Sequence, residues 1–432
     1  MNSFVKSAVC LVTGFLFVGS NCLIAQSNAA SSSPDRIILN LTATGTNSVA
    51  VSWRTDTLVE KGICEWQLSP QGPVASENTR QVVANTQQLV YTYSNEPAIH
   101  AKQHSCTLKD LAPGKSYIYR VGDGTNYSEW LEFSLPAEDQ EAFSFLYFGD
   151  PQTSLKSQWS RVVRKAYQQV PESAFMLYAG DLINRAGKDR EWQEWFEAGR
   201  FIFSSTPQLM TPGNHDYDDR NLDPHWRAQF ELPKNGPKGL EETCFFIDYK
   251  NLRLISIDSA AGDELDDENG WEMQSQVAWL DSVLANTESE WIILTTHLPF
   301  YSPKASRDNA SLRKHFQPLI EKYGVDLVLS GHDHSYGRGM ASDSSNPLHQ
   351  PVYVVSVSGP KMYEVGDKDW MKRKGSKVQL FQKITIGPGE LNFEAYTANG
   401  ELFDHFNLGK WMVKRSCSTS DFKGIFTRST KR

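Results

Sequence analysis

Five times along this chain an apolar run stops at a short loop built around a metal-binding side chain. The loops are Gly149-Asp150-Pro151-Gln152, Gly180-Asp181-Leu182-Ile183-Asn184, Gly213-Asn214-His215-Asp216, Thr296-His297 and Gly331-His332-Asp333-His334. A Gly-Asp or Gly-Asn pair alone is an everyday turn, and a single His-x-His is a weak signal. Five in order, each after a strand-like run, demand a fold that gathers strand ends at one edge. Open α/β sheets do this. Glycine beside the ligand-type residues gives the backbone room for unusual angles and close approach.

The surrounding pattern agrees. Apolar runs at 143–148, 175–179, 208–211, 291–296 and 325–330 predict strands, each leading into one of the loops. Helices are predicted over 157–169, 274–284 and 312–323, the second from Val277, Leu280, Val283 and Leu284 on one side. A hairpin around Lys250-Asn251 and strands at 352–356, 383–386 and 391–396 complete an α/β catalytic region over 142–409. Residues 35–137 read differently. Short alternating runs, Trp53, and the turn-and-strand Leu111-Ala-Pro-Gly-Lys-Ser-Tyr117 predict an all-β sandwich that resembles a fibronectin type III domain. With 432 residues, 40% of them hydrophobic and 22% charged, the chain has length and apolar content for both units. A net charge of -8 argues against non-specific nucleic-acid binding.

Residues 1–29 predict a cleaved signal peptide: Lys6, an apolar stretch from Ala8 to Val18, then small residues at Ser27, Asn28 and Ala29. This places the protein outside the cytoplasm, secreted or periplasmic, with no stable membrane insertion after cleavage. An uncleaved anchor and a lipid-anchored Cys22 are the alternatives, and Gly19, Ser20 and Asn21 cut the run short of a comfortable span. Of the cysteines left, Cys64 and Cys106 share the first domain, while Cys244 and Cys417 could pair across the rest. All four also fit as buried thiols. Residues 410–432 form a basic tail rich in Ser and Thr.

The loop residues offer oxygen and nitrogen but no sulfur, which suits Mn, Fe or Zn. An Asp carboxylate can bridge two ions, and two divalent ions can clamp a phosphate and ready a hydroxide for in-line attack. Other histidines (His100, His104, His225, His315, His349, His405) read as surface or structural. Asp263 to Glu268 reads as a solvated loop, and Trp192, Trp195 and Phe196 as core.

The ordered set resembles the calcineurin-like metallophosphoesterases. With the β-sandwich in front, it resembles the purple acid phosphatases and their bacterial relatives. The fold implied is a metallophosphatase sandwich, two mixed sheets flanked by helices. The resemblance implies that Asp150 and His334 hold a first metal, that Asn214, His297 and His332 hold a second, and that Asp181 bridges. It implies that His215 acts as general acid or charge stabiliser at the leaving group, with Asp216 orienting it. The chain departs from the family in three places. Asn184 stands where the purple enzymes carry their iron-binding Tyr, so a colourless enzyme with two divalent ions is expected. Gln152 stands two positions after Asp150, and shares its face in an extended segment. It is a candidate oxygen ligand, directly or through water. Arg307 or Arg313 replaces the phosphate-gripping histidines that follow the fourth motif. The function implied is hydrolysis of small phosphate monoesters. A phosphodiesterase or nucleotide pyrophosphatase on the same site is the alternative enzyme. A binding or adhesion protein with a vestigial metal site is the alternative outside enzymes.

Overall fold

The structure is a computed structural model that describes residues 29–261, 270–341 and 350–410. The leader up to residue 28, the acidic run Asp263 to Glu268, His349, Cys417 and the tail from 411 lie outside the described residues.

Two sheets stack face to face in the catalytic region. In the first, parallel strands Phe143–Phe148, Met176–Ala179 and Gln208–Thr211 lie side by side. Leu380–Gly387, Glu390–Thr397 and Leu402–Gly409 extend it as an antiparallel meander. In the second, Leu252–Ser256, Trp291–Thr296, Leu327–Ser330 and Val352–Val355 run parallel, with antiparallel strands at both edges. Phe145 and Leu177 from one sheet meet Phe245, Leu254, Ile293 and Leu327 from the other in a single buried core. Each such side chain contributes about 1.5–3 kcal/mol when removed from water.

Helices cover the outer faces. Ser160–Gln169 and Asp189–Gly199 pack Trp159, Val162, Trp192 and Trp195 into the first core, so the Trp192, Trp195 and Phe196 cluster is core. Trp271–Ala285 and Ala310–Tyr323 pack Met273, Leu280, Phe316 and Ile320 onto the second sheet. The second of these ends at Gly324, whose φ of +69° makes the left-handed cap.

The N-terminal region is an all-β sandwich. Strands Asp35–Leu41, Val49–Thr55, Ile99–Leu108 and Asn85–Tyr91 face Arg80–Val83, Ile63–Leu68, Ser116–Gly122 and Leu131–Ser134. Trp53, Trp66, Tyr117, Tyr119 and Phe133 fill the space between. The Tyr117 hydroxyl accepts a hydrogen bond from the Ala112 amide at 2.7 Å, which fixes the Pro-Gly turn. The first strand of the sandwich runs parallel to Gln208–Thr211, with Asn40 opposite Gln208, and ten strands form one sheet across both regions. Cys64, Cys106 and Cys244 are buried free thiols.

Candidate metal centre

The five loops leave the C-terminal ends of Phe143–Phe148, Met176–Ala179, Gln208–Thr211, Trp291–Thr296 and Leu327–Ser330. Three belong to one sheet and two to the other, so the site sits where the stacked sheets open. Close approach explains the glycines. A Cβ on Gly331 would lie 2.5 Å from Asp150 Oδ2, and one on Gly213 would lie 2.2 Å from Asp181 Oδ1. Asp150, Asp181, His332 and His334 all adopt positive φ (39°, 51°, 69° and 44°). Backbone strain of this kind costs about 1–3 kcal/mol per residue and concentrates at functional sites.

The side chains converge as two groups that share one carboxylate. Asp150, Asp181 and His334 form one, and Asp181, His297 and His332 the other, with ligand atoms within 4.8 Å of one another. Asn214 joins the second group, its Oδ1 3.0 Å from both His297 Nε2 and His332 Nδ1. Backbone contacts set the rings. His297 Nδ1 donates to the Ala179 carbonyl at 2.8 Å, which leaves Nε2 facing Asp181 and Asn214. His334 Nδ1 donates to the Lys361 carbonyl at 3.1 Å, which leaves Nε2 on the Asp150 side at 3.9 Å. Such outer hydrogen bonds fix the tautomer that a metal needs.

The donor set fits two cations. Burial, against the pull of His297, pushes the Asp150 carboxyl well above its ordinary range. Burial would lower His297, but Asp181 overrules it and raises the ring to about 10. Burial, with the Lys361 charge, holds His334 down at about 3, a neutral ring with a free lone pair. Among the described residues no Lys or Arg pairs with Asp150 or Asp181, so these buried carboxylates call for positive charge from elsewhere. His332 Nε2 is buried without a hydrogen-bond partner.

His215 and Asp216 lie beside this set with partners other than those expected. The family resemblance implies that Asp216 orients His215. Its carboxylate instead accepts from the Gly213 amide at 2.8 Å and the Leu182 amide at 3.2 Å, tying the second and third loops together. The Asn184 carbonyl accepts from His215 Nδ1 at 2.7 Å and orients the ring, and the His215 amide donates to Asp181 Oδ1.

Gln152 is buried, with both ends of its amide engaged. Nε2 donates to Asn184 Oδ1 at 3.1 Å and Oε1 accepts from Lys361 Nζ at 3.3 Å. Both candidate arginines have protein partners. Arg307 pairs with buried Asp333, and Arg313 with Asp308 and the Phe300 carbonyl. Asp308 stands five positions before Arg313, whereas Asp333 stands 26 positions after Arg307.

Sequence reading misses Lys361 and Tyr363. They follow Val352–Val355, the next parallel strand of the second sheet, in a loop whose Ser358 and Gly359 amides donate to the Gly149 and Asp150 carbonyls. The signal was a sixth strand end followed by Gly359, without a ligand-type residue to mark it. The Tyr363 ring packs edge-on against His334 at 4.8 Å.

Comparison with known proteins finds the family model "Calcineurin-like phosphoesterase" matching residues 143–336 and "Purple acid Phosphatase, N-terminal domain" matching 34–135. The chain is 25% identical over 338 residues to human "Acid phosphatase type 7", covering 72% of each chain. It is 24% identical over 391 residues to "Fe(3+)-Zn(2+) purple acid phosphatase 12" of Arabidopsis thaliana, covering 81% of this chain and 76% of the relative. Among solved structures, a purple acid phosphatase from yellow lupin seeds superposes with a TM-score of 0.72 at 20% identity, over 91% of this chain and 78% of that one.

Proposed function

We propose that this chain, a calcineurin-like metallophosphoesterase carrying a purple acid phosphatase N-terminal domain, is an exported phosphatase that hydrolyses small phosphate monoesters with two divalent metal ions. The observation that carries this reading is the pair of ligand groups joined at Asp181, with Asn214 and His215 beside them. Asp150, Asp181 and His334 would hold one ion, and Asp181, Asn214, His297 and His332 the other. When bound, the ions supply the charge that holds a phosphate and lowers the pKa of the attacking water.

The protein's own residues do the rest. Asp181 sets the spacing of the two groups. The Asn184 carbonyl keeps a proton on His215 Nδ1, so Nε2 is the atom that serves the leaving-group oxygen. Asp216 locks the loops that carry Asp181 and His215. Export rests on the leader of residues 1–29, with domains at 35–137 and 142–409 and a tail at 410–432. No helix among the described residues is long and apolar enough to cross a membrane.

The test is metal content by elemental analysis, paired with hydrolysis of a chromogenic monoester and a chromogenic diester by wild type and Asn214→Ala. Two metals per chain, with monoester turnover that collapses in the variant, is the expected result. Full metal with turnover of the diester alone would move the reading to a phosphodiesterase. Absence of both metal and turnover would overturn the enzyme.

A further inference from the structure

Beside the metal-ligand set stands a lysine whose side chain is bonded to a neutral amide. Lys361 is half-buried, and its Nζ donates to the neutral oxygen of Gln152 at 3.3 Å. Among the described residues it forms no ion pair, whereas Arg307 and Arg313 are both paired with carboxylates. An ammonium carries three donors, so donors remain after the contact with Gln152.

Its position is fixed from three sides. The Lys361 carbonyl accepts from His334 Nδ1 at 3.1 Å, which ties its backbone to a ligand of the first group. The preceding amides of Ser358 and Gly359 are bonded to the loop of Asp150. The Lys361 ammonium stands 5.7 Å from the Tyr363 ring centre, and that ring packs on His334. Gln152 then links Lys361 to Asn184, and the Asn184 carbonyl holds His215. The ammonium thus shares one hydrogen-bonded chain with the residue assigned to the leaving group.

We propose that Lys361 contacts the substrate phosphate from outside the metal-ligand set, and that this contact favours a dianionic monoester over a monoanionic diester. Gln152 is the positioning residue that aims it. The inference rests on the phosphatase reading and deepens it. A monoester dianion carries one more charge and one more free oxygen than a diester, and a partly desolvated ammonium rewards both. Lys304 also lies over the Tyr363 ring, at 4.7 Å, but Lys361 alone of the two is bonded to a side chain of the motif loops.

The experiment uses full-length, metal-loaded wild type, Lys361→Met and Lys361→Arg. It measures kcat and KM on a chromogenic monoester and a chromogenic diester, inorganic phosphate binding by calorimetry, and metal content. For Lys361→Met, kcat/KM on the monoester should fall about 10–100-fold and on the diester less than about 3-fold. Phosphate binding should weaken about tenfold, with metal content intact and Lys361→Arg retaining most of the wild-type behaviour. Unchanged monoester kinetics and phosphate affinity in Lys361→Met would overturn the proposal. Equal losses on both esters would overturn it as a preference device, and loss of metal would show that Lys361 serves His334 instead. A wild type that hydrolyses neither ester would refute the phosphatase reading and this inference together. That outcome is separate from an active wild type with an indifferent variant.

Discussion

Arg307 closes on Asp333, the residue between the two histidines of the last motif, and Ser302 donates to the same carboxylate. Asp333 is fully buried, so the pair braces the loop that carries His332 and His334. Removing the guanidinium leaves a buried carboxylate without its counter-charge, a change that costs about 3–5 kcal/mol in closed interiors. Arg307 is one-quarter exposed, so the lower end applies. Arg307→Ala should lower the thermal midpoint and reduce kcat through displaced histidines, while KM moves less than about twofold. A tenfold rise in KM at unchanged stability would return Arg307 to the substrate.

Asn184 predicts the spectrum. Its side chain is bonded to Gln152, and the buried tyrosines of the strands that lead into Asp150 and Asp181 are committed elsewhere: Tyr147 donates to the Ser330 carbonyl at 2.6 Å and Tyr178 to Gln208 at 2.8 Å. Protein loaded with ferric iron should show no visible tyrosinate band. A purple preparation whose colour follows the iron content would contradict this assignment.

The loops were legible because their chemistry sits at strand ends, and strand ends show as apolar runs in one dimension. The sandwich was legible from Trp53 and the turn before Tyr117. What escaped depends on residues far apart in sequence. Asn40 meets Gln208 across 168 positions, which merges the two regions into one sheet. Lys361 meets Gln152 across 209 positions, and nothing local marks a lysine as facing a site. The helix at Trp271–Ala285 begins three residues before the expected start at 274: buried Met273 continues the face of Val277 and Leu280, while exposed Trp271 adds no periodic signal.

The seam between the two regions predicts a pH optimum of stability. Asp189 is ion-paired with Arg36 at 2.7 Å, Arg54 at 3.5 Å and His225 at 3.3 Å, and His225 also contacts Asp223 at 2.7 Å. Burial alone would raise Asp189, but His225 and the arginines hold it below the ordinary carboxylate value. Its contribution is therefore present above about pH 4 and lost as pH falls. Burial alone would lower His225, but Asp189 and Asp223 raise it. Its contribution is complete below about pH 6.5 and lost as pH rises through the higher folded value. Both act together between about pH 4 and 6.5. The thermal midpoint of wild type minus His225→Gln should be largest in that window and shrink toward pH 9. A difference that does not vary with pH would show that His225 stays neutral in the folded protein.

Gly213 offers the sharpest test of the shared carboxylate. A Cβ there would stand 2.2 Å from Asp181 Oδ1, 2.4 Å from the Asp181 amide and 2.8 Å from His297 Cε1. Asp181 is held by the His215 amide and the loop by Asp216, so relieving the clash must break the hold on the Asp181 carboxylate. The φ of Gly213 is -109°, which any residue adopts, so alanine is opposed by contact alone and not by backbone strain. Gly213→Ala should therefore fold, since the β-sandwich and both cores lie away from the clash. It should displace Asp181, the one residue common to both ligand groups, and so cut metal binding at both positions together. His334→Ala should weaken the first position more than the second, because His334 belongs to one group. Elemental analysis and calorimetric titration with Mn, Fe or Zn distinguish the two patterns. If Gly213→Ala lost a single ion and kept the other at wild-type affinity, Asp181 would not be the bridge.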